Sequence, residues 1–285
     1  MQEIKEQLEK IYEESNLRKD GCPLVQACDN SCNWESRKKT PPMRSYVGEE
    51  YEKHRILFVG INYNGSDVER EKIEQNELFD YVRKYISKDP GSICSQHIDG
   101  VIHALTTKIV NGPNLNPSDT GKMFAFTNIV KCSVDKDAGK PTNTMYENCA
   151  IRRGYVFKEI EILKPKLIIC IGDPPFEGIR SHFADSVLNK DEFGNWLFRF
   201  ENNGDKTYVL RVYNPPSGYR YIRSEWNKVQ KGNLSETWRK FFRECNSEKD
   251  MVSKVMRREL PLYPNVFQNK LYEYVIDFLI NKAHN

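Results

Sequence analysis

Three apolar runs in this chain each lead into an asparagine. The first is Ile56-Leu57-Phe58-Val59-Gly60-Ile61-Asn62; the second runs from Met123 through Asn128 to Lys131; the third, Thr207 to Tyr213, delivers Asn214. A short, continuous apolar run is the signature of a strand buried on both faces, as in a parallel sheet. A further apolar strand is predicted over Lys166–Gly172, and Trp196–Phe200 is predicted to pair with the third run as a hairpin across Asn202-Asn203-Gly204-Asp205. Helical spacing separates them. It is present at 3–18 (Ile4, Leu8, Ile11, Tyr12), 67–88, about 97–110, 145–163 (Ile151, Tyr155, Val156, Ile160, Leu163) and 175–189, while 20–54 reads as loop. Alternation of this kind predicts an α/β fold: three layers, αβα, with a central, mostly parallel sheet of about four strands. After residue 224 the sequence reads as helices, so a domain over 1–224 is expected to carry a C-terminal helical extension over 225–285 packed on it. Sites in such sheets lie beyond the carboxyl ends of the strands, which is where the three asparagines fall.

Composition limits the class more than the function. With 285 residues the chain can bury a large core without covalent staples. No run approaches the roughly 20 apolar residues that span a bilayer, so no membrane partner is expected. Met1 to Lys19 is charged throughout, without the apolar centre of a signal peptide, and a cytoplasmic, monomeric protein is expected. The formal charge of +3 and pI near 8.3 permit nucleic acid without demanding it. Arg37-Lys38-Lys39 and Arg152-Arg153 read as solvated surface, whereas Arg220 and Arg223 follow a candidate site loop.

A disulfide framework is not expected for the eight cysteines in a reducing compartment. Cys170, inside Leu167-Ile168-Ile169-Cys170-Ile171, reads as core, and Cys94 and Cys245 have no partner at ligand spacing. The remaining five are Cys22, Cys28, Cys32, Cys132 and Cys149. Cys132 lies four residues after Asn128, and sixteen residues separate it from Cys149. An isolated asparagine after a strand is usually a turn residue bonding its own backbone. Three of them at strand ends, one followed by a cysteine pair, have the makings of a site.

Over about residues 25–225 these segments resemble the uracil-DNA glycosylase superfamily, above all its iron–sulfur branch. Gly60-Ile61-Asn62-Tyr63-Asn64-Gly65 resembles the family's water-activating loop, Thr127-Asn128-Ile129-Val130-Lys131-Cys132 its base-reading strand, and Tyr213-Asn214-Pro215-Pro216-Ser217 the position of its His-Pro-Ser loop. The resemblance implies catalytic roles for Asn62, which would hold the attacking water, and Asn214, which would stabilise O2 of the departing base. It implies base binding by Gly60, Tyr63 and Asn128, the last presenting a donor and an acceptor to a pyrimidine edge. DNA contacts are expected from Ser217, Tyr219, Arg220, Tyr221 and Arg223. A 4Fe-4S cluster is implied on Cys28, Cys32, Cys132 and Cys149, with Cys22 in reserve and zinc as the alternative occupant.

The sequence departs from that family in ways that matter. Asn214 stands where histidine is usual, Cys28 and Cys32 have three residues between them instead of two, and no Gly-Arg-Pro-Phe segment supplies a stacking phenylalanine. The insert from about 88 to 122 and the C-terminal helices go beyond a minimal glycosylase. The expected function is therefore a monofunctional DNA glycosylase that removes uracil or a modified pyrimidine, including bulky bases of phage DNA in a defence role. A non-catalytic iron–sulfur module that binds nucleic acid is the alternative, and a hydrolase of free nucleosides is a third. Lys131 reads as a phosphate or surface contact and not as a nucleophile.

Overall fold

The computed structural model describes residues 1–15, 17, 22–31, 44–62, 102, 105–106, 109–110, 117–132, 141–183, 186–187, 197–202 and 204–212. The chain divides into two compact units, one of Met1–Tyr81 with Gly121–Val212 and one of Val82–Thr120 with Tyr213–Asn285. The first unit holds a seven-stranded sheet. Its strands are β1 (Tyr46–Val47), β2 (Ile56–Asn62), β3 (Phe124–Val130), β4 (Leu167–Ile171), β5 (Ser186–Val187), β6 (Leu197–Asn202) and β7 (Asp205–Val212), in the spatial order β1-β3-β2-β4-β7-β6-β5. The four central strands are parallel, as their apolar composition predicts. The edges are antiparallel: β1 on β3 at one side, the β6–β7 hairpin and β5 at the other. The protein is an α/β fold; the β6–β7 hairpin falls where the sequence predicts one, and β1 and β5 are strands beyond those predicted.

One face of the sheet is covered by α1 (Gln2–Glu14), α5 (Tyr155–Leu163) and α6 (Asp173–Phe183). Leu8 and Tyr12 of α1 are buried, with Ile4 and Ile11 packed against the same cluster, so the stripe read from sequence is the one used. That cluster joins Leu57, Val59, Ala125, Ile129, Ile168, Cys170 and Val209 from the sheet. Cys170 is fully buried, as expected. The other face carries Phe58, Phe124, Ile169 and Leu210, also buried.

Local structure departs from expectation in three places. The helix predicted over 145–163 is broken. Short α4 (Asn143–Tyr146) runs into a π-helical turn, Glu147–Arg152, and the chain then reverses at Gly154, whose φ of +61° suits glycine, before α5 starts. Of the predicted stripe, Tyr155, Val156, Ile160 and Leu163 are buried on α5, whereas Ile151, before the break, is exposed. The helix predicted over 175–189 begins at Asp173 and stops at Phe183, and Ser186–Val187 is strand. Within 20–54, read as loop, lie α2 (Val25–Asn30), β1 and α3 (Tyr51–His54). These pieces are too short to show a period. The elements predicted over 67–88, most of 97–110 and everything after 212 lie outside the described residues.

Candidate functional site

The strand order reverses at β2. The chain steps from β2 to β3 on one side, then passes back across β2 to β4 on the other. The carboxyl ends of β2 and β4 therefore flank a topological switch point, where open α/β sheets place their ligands. Asn62 ends β2 at this point, and Asn128 lies on the other neighbour of β2, strand β3. Gly60 pairs with Asn128 and Asn62 with Val130, so both amides lie on the same face, offset by roughly 7 Å along the strand. Asn62 is 8% exposed and Asn128 2%.

Gly60 has a specific reason to be glycine. A Cβ there would collide with Oδ1 of Asn128 and sit 3.3 Å from Cζ of Phe126. The Asn128 amide occupies the room that a side chain at 60 would need. Gly60→Ala is expected to keep the fold, at a cost of about 1 kcal/mol, because the atom that must yield is the end of a side chain. Urea unfolding of the variant against wild type measures that cost.

The opposite face of β3 is built for anchoring. Strand alternation turns Thr127 and the residue just past the strand, Lys131, away from Asn128. Lys131 is fully buried and its ammonium lies 2.6 Å from both carboxylate oxygens of Glu159 on α5. Thr127 donates to Glu159 at 2.7 Å, Lys131 donates to Thr127 at 2.5 Å, and the Tyr12 hydroxyl of α1 donates to Glu159 at 2.5 Å. The same hydroxyl accepts the Ser45 backbone N–H at 2.9 Å. Burial lowers the Lys131 pKa and the Glu159 carboxylate opposes that shift, while burial and then Glu159 push the Tyr12 hydroxyl well up. Lys131 is thus neither a surface group nor a phosphate contact, which corrects the sequence reading. The signal was present in α5: Glu159 sits within the buried stripe Tyr155, Val156, Ile160, Leu163, and a charge in a buried stripe requires a partner.

Immediately beyond this anchor the cysteines gather. Cys28 on α2, Cys132 after β3 and Cys149 in the π-helical turn are all buried and none is in a disulfide. Cys132 and Cys149 share a side-chain hydrogen bond, and Cys149 also accepts the backbone N–H of Lys131. That contact with Cys132, then burial, holds the Cys149 thiol well above its usual pKa, and Cys28 adds to the effect. Asn148 Nδ2 donates to Cys28 Sγ at 3.3 Å. Ser31 and Thr142 hydroxyls, 2.7 Å apart, tie the segment after Cys28 to the start of α4. Cys22 is engaged elsewhere: its sulfur meets the Tyr155 hydroxyl at 3.4 Å and the Leu24 N–H at 3.4 Å. Among the described residues no three or more His, Cys, Asp or Glu side chains form a group that could hold a metal ion. Cys32 lies outside those residues. The donors gathered are all sulfur, the set that suits iron–sulfur clusters and structural zinc.

Asn214, Tyr63, Ser217, Tyr219, Arg220, Tyr221 and Arg223 also lie outside the described residues. The end of β7 is nevertheless fixed: Gly172 N–H bonds Val212 O at 2.7 Å, and Arg211 bonds Asp173 at 2.9 Å. β7 is parallel to β4, so the chain leaves it at the same edge of the sheet as β2 and β3. β7 stands two strands from β2, roughly 10 Å across the sheet. No protein-family model matches the chain, and no curated protein matches it.

Proposed function

We propose that this protein is a monofunctional DNA glycosylase that hydrolyses the N-glycosidic bond of an everted uracil or modified pyrimidine and leaves an abasic site. The observation that carries this reading is the placing of Asn62 and Asn128 on one face of the neighbouring strands β2 and β3, with the space above Gly60 given to the Asn128 amide. Cleavage of this bond places positive charge on the sugar and negative charge on the leaving base, so catalysis asks for positioned dipoles more than for strong acids or bases. In this reading Asn62 orients the water on the anomeric carbon. Asn128 offers its N–H to a carbonyl of the base and its carbonyl to a ring N–H, and Asn214 faces the charge that develops on O2. The base must leave the duplex to reach these groups. Burial of Lys131 against Glu159 supports hydrolysis without strand cleavage, since that amine is held away from the Asn128 face.

Cys28, Cys32, Cys132 and Cys149 are the residues that would hold a 4Fe-4S cluster, with zinc as the alternative. Bound there, the group would act as a cross-link between the α2 segment, the end of β3 and the π-helical turn. Cys132→Ser is expected to abolish the brown colour of the purified protein and to reduce its soluble yield. Colourless wild-type protein containing zinc would replace the cluster with the other metal.

The test of function is abasic-site formation on oligonucleotides carrying uracil, hypoxanthine or modified cytosines, and on DNA from phages with bulky modified bases. Product on the last of these alone would identify a defence enzyme. Tight binding to DNA with no product on any substrate would identify a binding module, and DNA binding that ignores salt would point to a small-molecule hydrolase.

A further inference from the structure

The geometry points to Asn148 as a positioning residue for the metal-bearing thiolates, supplying an N–H···S hydrogen bond to Cys28; the inference rests on the proposed metal group. Asn148 is 2% exposed and stands directly before Cys149. Ordinary helical spacing turns successive side chains apart, but here Asn148, Cys149 and Ala150 are all buried while Ile151 is 68% exposed. The wide turn that permits this is closed by the Arg153 N–H bonding Asn148 O at 3.0 Å, five residues back. Such π-helical turns commonly mark functional sites.

Two consecutive residues of one turn thus address two separate sulfurs. Cys149 offers its own thiol, and Asn148 reaches across to the thiol of α2. Cys149 in turn accepts the Lys131 backbone N–H, so N–H donors approach both ends of the group. An amide N–H gains little from a neutral thiol. Against a thiolate the bond is charge-assisted and substantially stronger. Donors placed in this way match the anionic, metal-bound state of the sulfurs, and partners of ligating groups are commonly as important as the ligands themselves.

The experiment compares full-length wild type with Asn148→Leu, Asn148→Asp and Asn148→Gln. Bound metal per chain is measured first, then the rate of metal release into excess chelator, then the thermal midpoint of the metal-free proteins. Leu and Asp, which lack the donor, are expected to release metal about 10-fold faster than wild type, and Gln, which keeps it, to stay nearer to wild type. The metal-free midpoint of the Leu variant is expected to match that of wild type. Equal release rates in Leu and wild type would overturn the role while leaving the metal reading intact. So would a metal-free Leu variant that is destabilised in proportion to its faster release, because Asn148 would then be a clip between two segments. Wild-type protein with no thiolate-bound metal would overturn the metal reading and this role together, and the first measurement reveals it.

Discussion

Glu159→Gln is expected to lower the stability of the sheet unit by about 3–5 kcal/mol, the usual cost of leaving one member of a buried ion pair uncompensated. Both side chains of the pair are fully buried, so water cannot take over the lost charge. Glutamine keeps the length and can still accept from Tyr12 or Thr127, but it leaves the Lys131 ammonium without a counter-charge. Deprotonating Lys131 is the remaining escape, and it too has a cost at neutral pH. Lys131→Met reverses the problem and strands a carboxylate with only two hydroxyl donors, so a loss of similar size is expected. The double variant Lys131→Met/Glu159→Leu removes both charges together. It should recover most of what either single change loses, because burying two ions carries its own desolvation cost. Tyr12→Phe removes one hydrogen bond to a charged group and should cost about 1.5–3 kcal/mol. Urea unfolding of the four variants measures all of this. A Glu159→Gln protein as stable as wild type would show that the pair is not held in a dry interior.

The reach of this network ties sequence to site. It joins α1 to α5 and both to β3 at the end of the strand that presents Asn128 on its other face and Cys132 beyond it. A one-residue slip of β3 would expose the ammonium to the wrong face and turn Asn128 inward, so the pair and the amide specify the same register.

The parallel strands were legible because continuous runs such as Ile56–Val59 and Leu167–Ile171 have no other economical use. The face of α1 was legible because four apolar residues repeat at helical spacing. The edge strand β1 was not: two residues carry no period, and their pairing depends on Phe126 and Ala125, nearly eighty residues away in sequence. The break at Gly154 was hidden for a different reason. Ile151 extends the helical spacing of Tyr155, Val156, Ile160 and Leu163 backward across the glycine, yet it is exposed, and spacing alone does not distinguish an exposed apolar residue from a buried one. The bond from Asn148 to Cys28 was hidden too, because it depends on a turn geometry that no spacing rule encodes. Lys131 was misread because a charged residue after a strand is normally solvated, and its partner lies 28 residues on.

Asn62→Ala is expected to reduce the single-turnover rate of base release by about a hundred- to a thousand-fold, the range for removal of one positioned polar group at a reacting centre. DNA affinity should change little, since duplex binding is dominated by contacts to phosphate and the residue sits buried at a strand end. The two effects together separate a catalytic role from a structural one: a fold defect lowers rate and binding in parallel, while loss of water positioning lowers rate alone. Asn62→Asp sharpens the comparison. A carboxylate can still hold the water and also faces a sugar that becomes positive, so Asp should retain more activity than Ala, with a rate that falls as the carboxyl protonates below about pH 4. Asn128→Ala, on the same face but one pair back, should act mainly on which base is accepted. If Asn62→Ala cleaves as fast as wild type on the preferred substrate, the amide at the end of β2 does not hold the nucleophile, and the chemistry must be sought at β7.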